Sequence, residues 1–316
     1  DALDRGELAR VNRQGLCMLG QRPPVGLDPG VLPARQTADA VAETADQGAR
    51  AGKLHRRAVA KGHRGDKGQD RRTGGGRGQR HRVLGHDAPV EEARGYVDQG
   101  FTAMKMKVGF GPDYDIKNVA AVRRAIGDDV LFAVDANCAY DRGSAIAVGQ
   151  HMAENNLLWF EEPIAADDVE GYLEVKRALN MRISGAEQLR GRWAFRRVIQ
   201  ERAMDIIQPD VCVCGGITEY RKIHAMASAN HVRVIPHMFG TAIRLAATMH
   251  LLATLPDQPR ALEPFPTLLE YDMSENALRT ELAKNPVTHK DGVVTIPQDP
   301  GLGLEINREL LSKYAA

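Results

Sequence analysis

The chain has 316 residues, with 42 Lys and Arg against 41 Asp and Glu and a formal net charge of +1. This balance gives no whole-chain electrostatic reason to bind nucleic acid, and the apolar runs are far shorter than the roughly 20 residues of a membrane span. Four cysteines are too few for a disulfide scaffold, and Cys212 and Cys214 lack a second Cys or His pair at metal-ligand spacing. No amino-terminal stretch has the pattern of a signal peptide, so we expect reduced thiols in a cytoplasmic protein.

The composition changes near residue 88. Residues 1–88 hold 17 Lys and Arg against 10 Asp and Glu, and all sixteen aromatic residues come later, from Tyr96 onward. Residues 53–82 are mostly Arg, Lys, Gly, His and Gln, which cannot bury enough apolar surface to offset the entropy lost on ordering. We therefore predict an atypical basic, Gly- and Arg-rich leader or a degenerate capping region over residues 1–82, and a folded domain with a C-terminal tail over residues 83–316. A basic arm and a segment translated out of frame are alternative interpretations of the leader.

The pattern becomes regular from residue 81. Apolar runs predict strands near residues 81–86, 101–108, 130–135, 157–161, 181–187, 204–208, 232–236 and 260–264. Amphipathic segments predict helices near residues 90–99, 113–126, 142–155, 167–178, 190–201, 217–230 and 241–255. Eight strands that alternate with helices predict a (β/α)8 barrel. A doubly wound sheet shares this alternation, but its site sits at one switch point and seldom places acids on successive strand ends.

Three carboxylates follow three successive predicted strands. Asp135, Glu161 and Glu187 are spaced 26 residues apart, which is the length of one strand and one helix. The carboxyl ends of parallel strands open into one mouth, where unpaired acids would repel one another. The simplest remedy is a divalent cation that prefers oxygen ligands, and Mg²⁺ is the first candidate.

Basic residues stand at the ends of other predicted strands. Lys105 and Lys107 face the same way as residues i and i+2, and two adjacent ammonium groups lower each other's proton affinity, so that one can act as a base. Asp210 and His237 end the sixth and seventh predicted strands, and a carboxylate beside an imidazole suits a general acid or base. Asn137, two residues after Asp135, can donate a hydrogen bond to a substrate.

This combination of motifs resembles the enolase superfamily, and specifically its mandelate racemase subgroup. The resemblance covers roughly residues 83–316. The matching motifs are Lys105-Met106-Lys107, Val134-Asp135-Ala136-Asn137, Phe160-Glu161-Glu162-Pro163, Gly185-Ala186-Glu187, Gln208-Pro209-Asp210 and Pro236-His237.

The resemblance implies a division of labour among these residues. Asp135, Glu161 and Glu187 would bind Mg²⁺, while Glu162 is not expected to ligate because it points away from the mouth. Lys105 would help to neutralise the substrate carboxylate. Lys107 would take the proton α to that carboxylate, and the metal would stabilise the resulting enediolate.

The resemblance also implies an acid or base on the opposite face of the substrate. His237, held by Asp210, would return a proton to carbon in a racemisation or protonate a β-hydroxyl in a dehydration. The eighth strand should supply an acid near the substrate carboxylate. Glu263 fits the predicted strand, but we prefer Glu270 because the motif around it resembles the usual ending of that strand in the family.

The implied function is Mg²⁺-dependent dehydration, racemisation or cycloisomerisation of a small hydroxy acid, with a sugar acid as the expected substrate. We also expect a homo-oligomer that binds neither a membrane nor nucleic acid. Family members carry an α+β capping domain before the barrel, and residues 1–82 do not resemble one. The alternative function is therefore a catalytically impaired barrel that serves as a binding protein with a basic arm.

Overall fold

The computed structural model describes residues 87–255, 268–274 and 276–314, together with the backbone of a short strand at Leu16–Cys17. The predicted strands at residues 81–86 and 260–264 lie outside the described residues, as does Glu263. The rest of the predicted leader also lies outside them, and the strand at Leu16–Cys17 was not predicted.

The remaining predicted elements are confirmed in order and type. The elements are β1 (Leu16–Cys17), α1 (Asp87–Asp98), β2 (Ala103–Lys107), α2 (Pro112–Ile126), β3 (Leu131–Asp135), α3 (Arg142–Met152), β4 (Leu157–Glu161), α4 (Val169–Ala178), β5 (Ile183–Gly185), α5 (Gly191–Gln200), β6 (Ile206–Ile207), α6 (Ile217–Ala229), β7 (Arg233–Val234), α7 (Ala242–Leu252), α8 (Ala277–Thr280) and α9 (Arg308–Tyr314). Strands β5 to β7 are shorter than predicted. Glu187, Asp210 and His237 consequently lie in loops, two or three residues past the strands that they were predicted to end.

The sheet follows the chain order from β1 to β7. Strands β2 to β7 are all parallel, and β1 pairs with β2 in the antiparallel direction. Each parallel neighbour is reached through a helix, because two parallel strands need a long crossover connection. The six parallel strands that alternate with helices confirm the predicted α/β barrel class, and they bring every strand's carboxyl end to the same mouth.

The strand register decides which side chains share the barrel interior. Lys105 pairs with Ala133 and Lys107 with Asp135 across β2 and β3, and Asp135 pairs with Glu161 across β3 and β4. Paired residues point to the same face of a sheet. The register alone therefore places a lysine and two acids side by side at the mouth.

Small and apolar side chains fill the interior below the mouth. This inner cluster contains Ala103, Trp159, Ile206 and Leu268, which belong to or follow well-separated strands. Leu268 and Ala103 come from opposite ends of the strand series, and they are packed in one cluster. Leu268 therefore packs in the same interior as the side chains of the parallel strands.

The other strand face packs against the helices. Met104, Phe132 and Phe160 are fully buried there with Val122 of α2 and Tyr172 of α4, in a second and larger apolar cluster. Burying side chains of this size stabilises a fold by about 1.5–3 kcal/mol each, so the packing of helices on the sheet contributes strongly to the stability of the barrel. Among the described residues, no helix is long and apolar enough to cross a membrane.

Several helices begin at a capping side chain directly after a mouth loop. Asp141 accepts a hydrogen bond from Ser144 N at α3, Asp168 accepts one from the first turn of α4, and the Thr241 side chain accepts one from the first turn of α7. A side-chain cap satisfies a backbone N–H group that the helix itself leaves unpaired. The caps therefore determine where each loop ends and limit how far the site residues can move.

Candidate active site

Three carboxylates meet at the mouth. Asp135 ends β3, Glu161 ends β4, and Glu187 lies two residues after β5. One oxygen from each lies within 4.8 Å of the others, and Asp135 and Glu161 are fully buried. Glu187 Oε2 is buried, and it lies 3.1 Å from the imidazole nitrogen Nε2 of His237. Since three anionic oxygens so close together repel one another, this donor set fits a hard divalent cation such as Mg²⁺.

Lys105 is a buried cation among these acids. Its side chain is 2% exposed, and its Nζ lies 2.5 Å from Glu161 Oε1 and 3.4 Å from Asp135 Oδ2. Burial alone would raise the pKa of Asp135, but the charges of Lys105 and Lys107 hold that pKa well below its usual value. Asp135 therefore stays ionised and remains able to bind a cation.

Two further side chains hold Glu161. Trp159 Nε1 donates to Glu161 Oε2 at 2.9 Å, and Gln208 Nε2 donates to the same oxygen at 2.7 Å. Burial, followed by the charge of Asp135, raises the pKa of Glu161 well above its usual value. Neither donor was predicted to contact Glu161. The alternation of β4 could have indicated Trp159, which faces the same way as Glu161. Gln208 follows β6, two strands away in the sheet, so its contact with Glu161 could not be predicted from the local sequence.

Lys107 approaches the carboxylates from the side of β2. Its Nζ contacts Asp135 and donates to Asn137 Oδ1 at 2.7 Å, while Asn137 N donates to Asp135 Oδ1 at 2.9 Å. Lys105 lowers the pKa of Lys107, as expected for two adjacent ammonium groups, but the expected net lowering of the Lys107 pKa is wrong. Burial and the Lys105 charge do lower the pKa of Lys107, but Asp135 and Glu161 together raise it above its usual value.

His237 approaches the carboxylates from the other side. Its Nδ1 lies 2.7 Å from Asp210 Oδ2, and its Nε2 lies 3.1 Å from Glu187 Oε2. Burial alone would lower the pKa of His237, but the charge of Glu187 and the hydrogen bond to Asp210 raise it to about 10. Asp210 is buried, which opposes its charge, yet His237 and Arg244 hold its pKa below the usual value. The pair is therefore an imidazolium and a carboxylate at neutral pH.

Glu270 connects the lysine side of the site to the histidine side. It is buried, its Oε1 contacts Lys105 Nζ, and its Oε2 accepts a hydrogen bond from Met238 N at 3.0 Å. The same Oε2 lies 3.9 Å from His237 Nε2. Glu270 thus lies at the mouth, where the eighth-strand acid was expected.

Two groups stand apart from the three-carboxylate cluster. Glu162 is buried, and its Oε2 accepts from Gln188 Nε2 at 3.2 Å and lies 3.5 Å from Cys138 Sγ. Burial first, and then the charge of Glu187, raises the pKa of Glu162 to about 7. Cys212 and Cys214 are free thiols, and neither belongs to a metal-type cluster of the described residues.

Comparisons with known proteins place this arrangement in a family. Residues 88–310 match the family model described as enolase C-terminal domain-like. The D-galactarolactone cycloisomerase of Agrobacterium fabrum is 38% identical over 216 residues, covering 68% of this chain and 57% of that protein. The arabinonate dehydratase of Saccharolobus solfataricus is 32% identical, covering 71% of this chain and 58% of that protein. The chain therefore spans less than two thirds of the length of these relatives.

Solved structures show the same fold. The 3,6-anhydro-D-galactonate cycloisomerase of Zobellia galactanivorans superposes with a TM-score of 0.67 at 38% identity, covering 72% of this chain and 63% of that one. A mandelate racemase/muconate lactonizing enzyme from Bordetella bronchiseptica superposes with a TM-score of 0.66 at 30% identity, covering 72% and 62%. Together with the family match, these likenesses show that the chain belongs to the mandelate racemase and muconate lactonizing enzyme family of the enolase superfamily.

Proposed function

We propose that this chain carries the catalytic domain of an Mg²⁺-dependent enzyme that removes the proton α to the carboxylate of a sugar acid. One observation carries the proposal. Lys107 contacts Asp135 on one side of the carboxylate cluster, and His237 lies 3.1 Å from Glu187 on the other. Two groups able to transfer protons therefore flank one set of carboxylates that can bind a cation. Proton transfer at both faces of a substrate carbon requires this geometry.

The carboxylates and Lys105 would share the task of neutralising charge. Asp135, Glu161 and Glu187 would hold Mg²⁺, which supplies Lewis-acid stabilisation of the negative charge that develops on the substrate carboxylate. Lys105, buried beside Glu161 and Glu270, would add a fixed positive charge at the same place.

Lys107 would act as the base toward the α-carbon. Its contact with Asp135 favours the protonated amine, so the loss of that proton becomes easier when the charge of Asp135 is shared with a second cation. Asn137 Oδ1 accepts from Lys107 Nζ and orients the amine, and the amide of Asn137 can also donate to a substrate hydroxyl.

His237 would act on the opposite face as the group that supplies a proton. A bound Mg²⁺ would share the charge of Glu187, but the hydrogen bond to Asp210 and the charge of Glu270 would still raise the pKa of His237 and favour the protonated imidazole that a general acid requires. Protonation of a β-hydroxyl gives dehydration, and the return of a proton to carbon gives racemisation. The similar proteins named as dehydratases and cycloisomerases of sugar acids favour lyase or cycloisomerase chemistry for this chain.

Proton NMR in D2O with Mg²⁺ tests the proposal directly. The substrates are galactarate, D-galactonate, D-gluconate and D-galactarolactone, which the names of the relatives suggest. Lys107→Ala and His237→Asn should each abolish turnover. His237→Asn should still exchange the α-proton, because Lys107, the base on the other face, survives. Lys117→Ala and His151→Asn change exposed residues of the same types and should behave as wild type. Turnover and exchange unchanged in both site variants would refute the mechanism.

A further inference from the structure

The first turn of helix α7 contains an arginine, Arg244, whose guanidinium group reaches the mouth. Arg244 is the third residue of this helix, and its backbone N–H donates to the cap, Thr241 Oγ1, at 3.3 Å. A positive charge in the first turn is unfavourable beside the positive end of the helix dipole. The first turn contains no acidic residue that could compensate. The charge of Arg244 must therefore be balanced from outside the helix.

That balance comes from Asp210, the partner of His237. Arg244 Nη1 lies 3.2 Å from Asp210 Oδ2, the oxygen that also lies 2.7 Å from His237 Nδ1. Asp210 Oδ1 accepts from Cys212 N at 2.7 Å. Because a buried carboxylate with only one partner could rotate about its Cβ–Cγ bond, the three donors together fix the plane of the Asp210 carboxylate.

Arg244 also holds the loop that carries His237. Its Nη1 donates to Phe239 O at 2.7 Å, two residues beyond the imidazole. The neighbouring backbone groups are held as well, with Met238 N bound to Glu270 and Gly240 O bound to Asn276 Nδ2 at 3.0 Å. One guanidinium nitrogen thus joins the acid that orients the imidazole to the loop that bears it.

We propose that Arg244 is a positioning residue, which keeps Asp210 and the loop after His237 in the one arrangement that aims His237 Nε2 at the substrate. The catalytic part of this inference rests on the proposed function. Arg244 is separated from the reacting atoms by Asp210 and His237, and it acts through them. Small errors in the aim of a proton donor lower the rate strongly, because the reacting atoms must approach along one geometry.

The first test needs no substrate. An imidazole N–H bonded to a carboxylate gives a low-field proton signal. The two His237 signals are assigned by their absence in His237→Asn, and the proton followed here is the one on Nδ1, beside Asp210, identified by its coupling to the labelled nitrogen Nδ1. In Arg244→Met this proton should exchange with water about tenfold faster, the effect expected from losing one charge-assisted hydrogen bond. Arg244→Lys, which can restore one of the two contacts, should fall between Arg244→Met and wild type. Arg221→Met, at an exposed arginine of α6, should match wild type.

The second test uses the sugar acids named above with Mg²⁺. Arg244→Met should lower kcat by about 10- to 100-fold with little change in KM, and Arg244→Lys should recover part of the loss. The α-proton exchange that survives in His237→Asn should survive in Arg244→Met as well, because it does not use the dyad.

The two tests separate failure of this inference from failure of the proposed function. If wild type turns over none of the acids, the proposed function fails, and the NMR comparison still decides the role of Arg244. If the His237 proton exchanges with water at the same rate in Arg244→Met as in wild type, the inference is overturned. A turnover loss that Arg244→Lys does not relieve, or one that is matched by an equal loss of exchange at the Lys107 face, also overturns it.

Discussion

At the scale of single residues, the two adjacent acids of β4 and its following loop are both buried but have different partners. Glu161 belongs to the three-carboxylate cluster, whereas Glu162 lies against Cys138 and Gln188. Glu161→Gln removes one of three charged ligands, so we expect its Mg²⁺ affinity, measured by calorimetric titration, to fall at least about tenfold. Glu162→Gln makes the same chemical change one position along the chain and is the matched control. Equal Mg²⁺ affinities in the two variants would refute the proposed metal site.

The raised pKa of Glu162 also predicts that the stability of the fold depends on pH. Burial raises its pKa from 4.5 to about 7, so the folded protein holds this proton more tightly than the unfolded chain does. The resulting stability is complete below pH 4.5 and is lost as the pH rises through 7. We therefore expect Glu162→Gln, which cannot ionise, to exceed wild type in free energy of unfolding by about 1–3 kcal/mol at pH 8.

Urea denaturation without added metal at pH 5 and pH 8 measures this difference. The advantage of Glu162→Gln should shrink toward zero at pH 5. Glu91→Gln, at an exposed position of α1, should differ little from wild type at either pH. A constant difference between Glu162→Gln and wild type across this range would show that ionisation of Glu162 is not its cause.

At the scale of elements, the loop after β2 packs directly against the loop after β3. Asp115 is buried on α2 and accepts hydrogen bonds from Gly109 N and Gly111 N at 3.0 Å and from the Tyr140 hydroxyl at 2.5 Å. A Cβ on Gly109 would lie 2.6 Å from Ala139 Cβ. The loops that follow Lys107 and Asp135 are therefore packed in a fixed position relative to each other, and this close packing requires a glycine at position 109.

Gly109→Ala should destabilise the protein more than Gly127→Ala does. Both glycines have positive φ, at 97° and 74°, so each alanine costs about 1 kcal/mol of backbone strain. Nothing lies within 4 Å of a Cβ at Gly127, whereas the overlap at Gly109 should cost about 1–3 kcal/mol more. Urea denaturation of the two variants measures the difference, and equal losses would show that the loops can separate without cost.

At the scale of the whole molecule, the sequence predicts a sharp contrast between the leader and the barrel. Residues 53–82 lie outside the described residues, and their composition is too basic and too poor in apolar groups to form a core. Limited trypsin digestion should cut first within residues 53–82 and leave a persistent fragment that begins near residue 83. Arg196 and Arg197, on the packed helix α5, provide an internal control and should stay uncut. A leader as resistant as the barrel would indicate a folded cap.

The sequence by itself determined the alternation of strands and helices and the three carboxylates at equal spacing. Both are periodic properties, and a parallel barrel converts a constant repeat length into side chains at one mouth. It also determined that Lys105 and Lys107 share a face, because residues i and i+2 of a strand always do.

Only the tertiary structure decided the contacts between residues far apart in the chain. Trp159 and Gln208 hold Glu161, Arg244 holds Asp210, and Glu270 reaches Lys105. The direction of the Lys107 pKa was also decided there. The sequence shows two neighbouring ammonium groups, but the net effect depends on the distance from Lys107 to Asp135, and that distance is set by the register between two strands. Electrostatic energies vary with distance and burial, and neither quantity is contained in local sequence patterns.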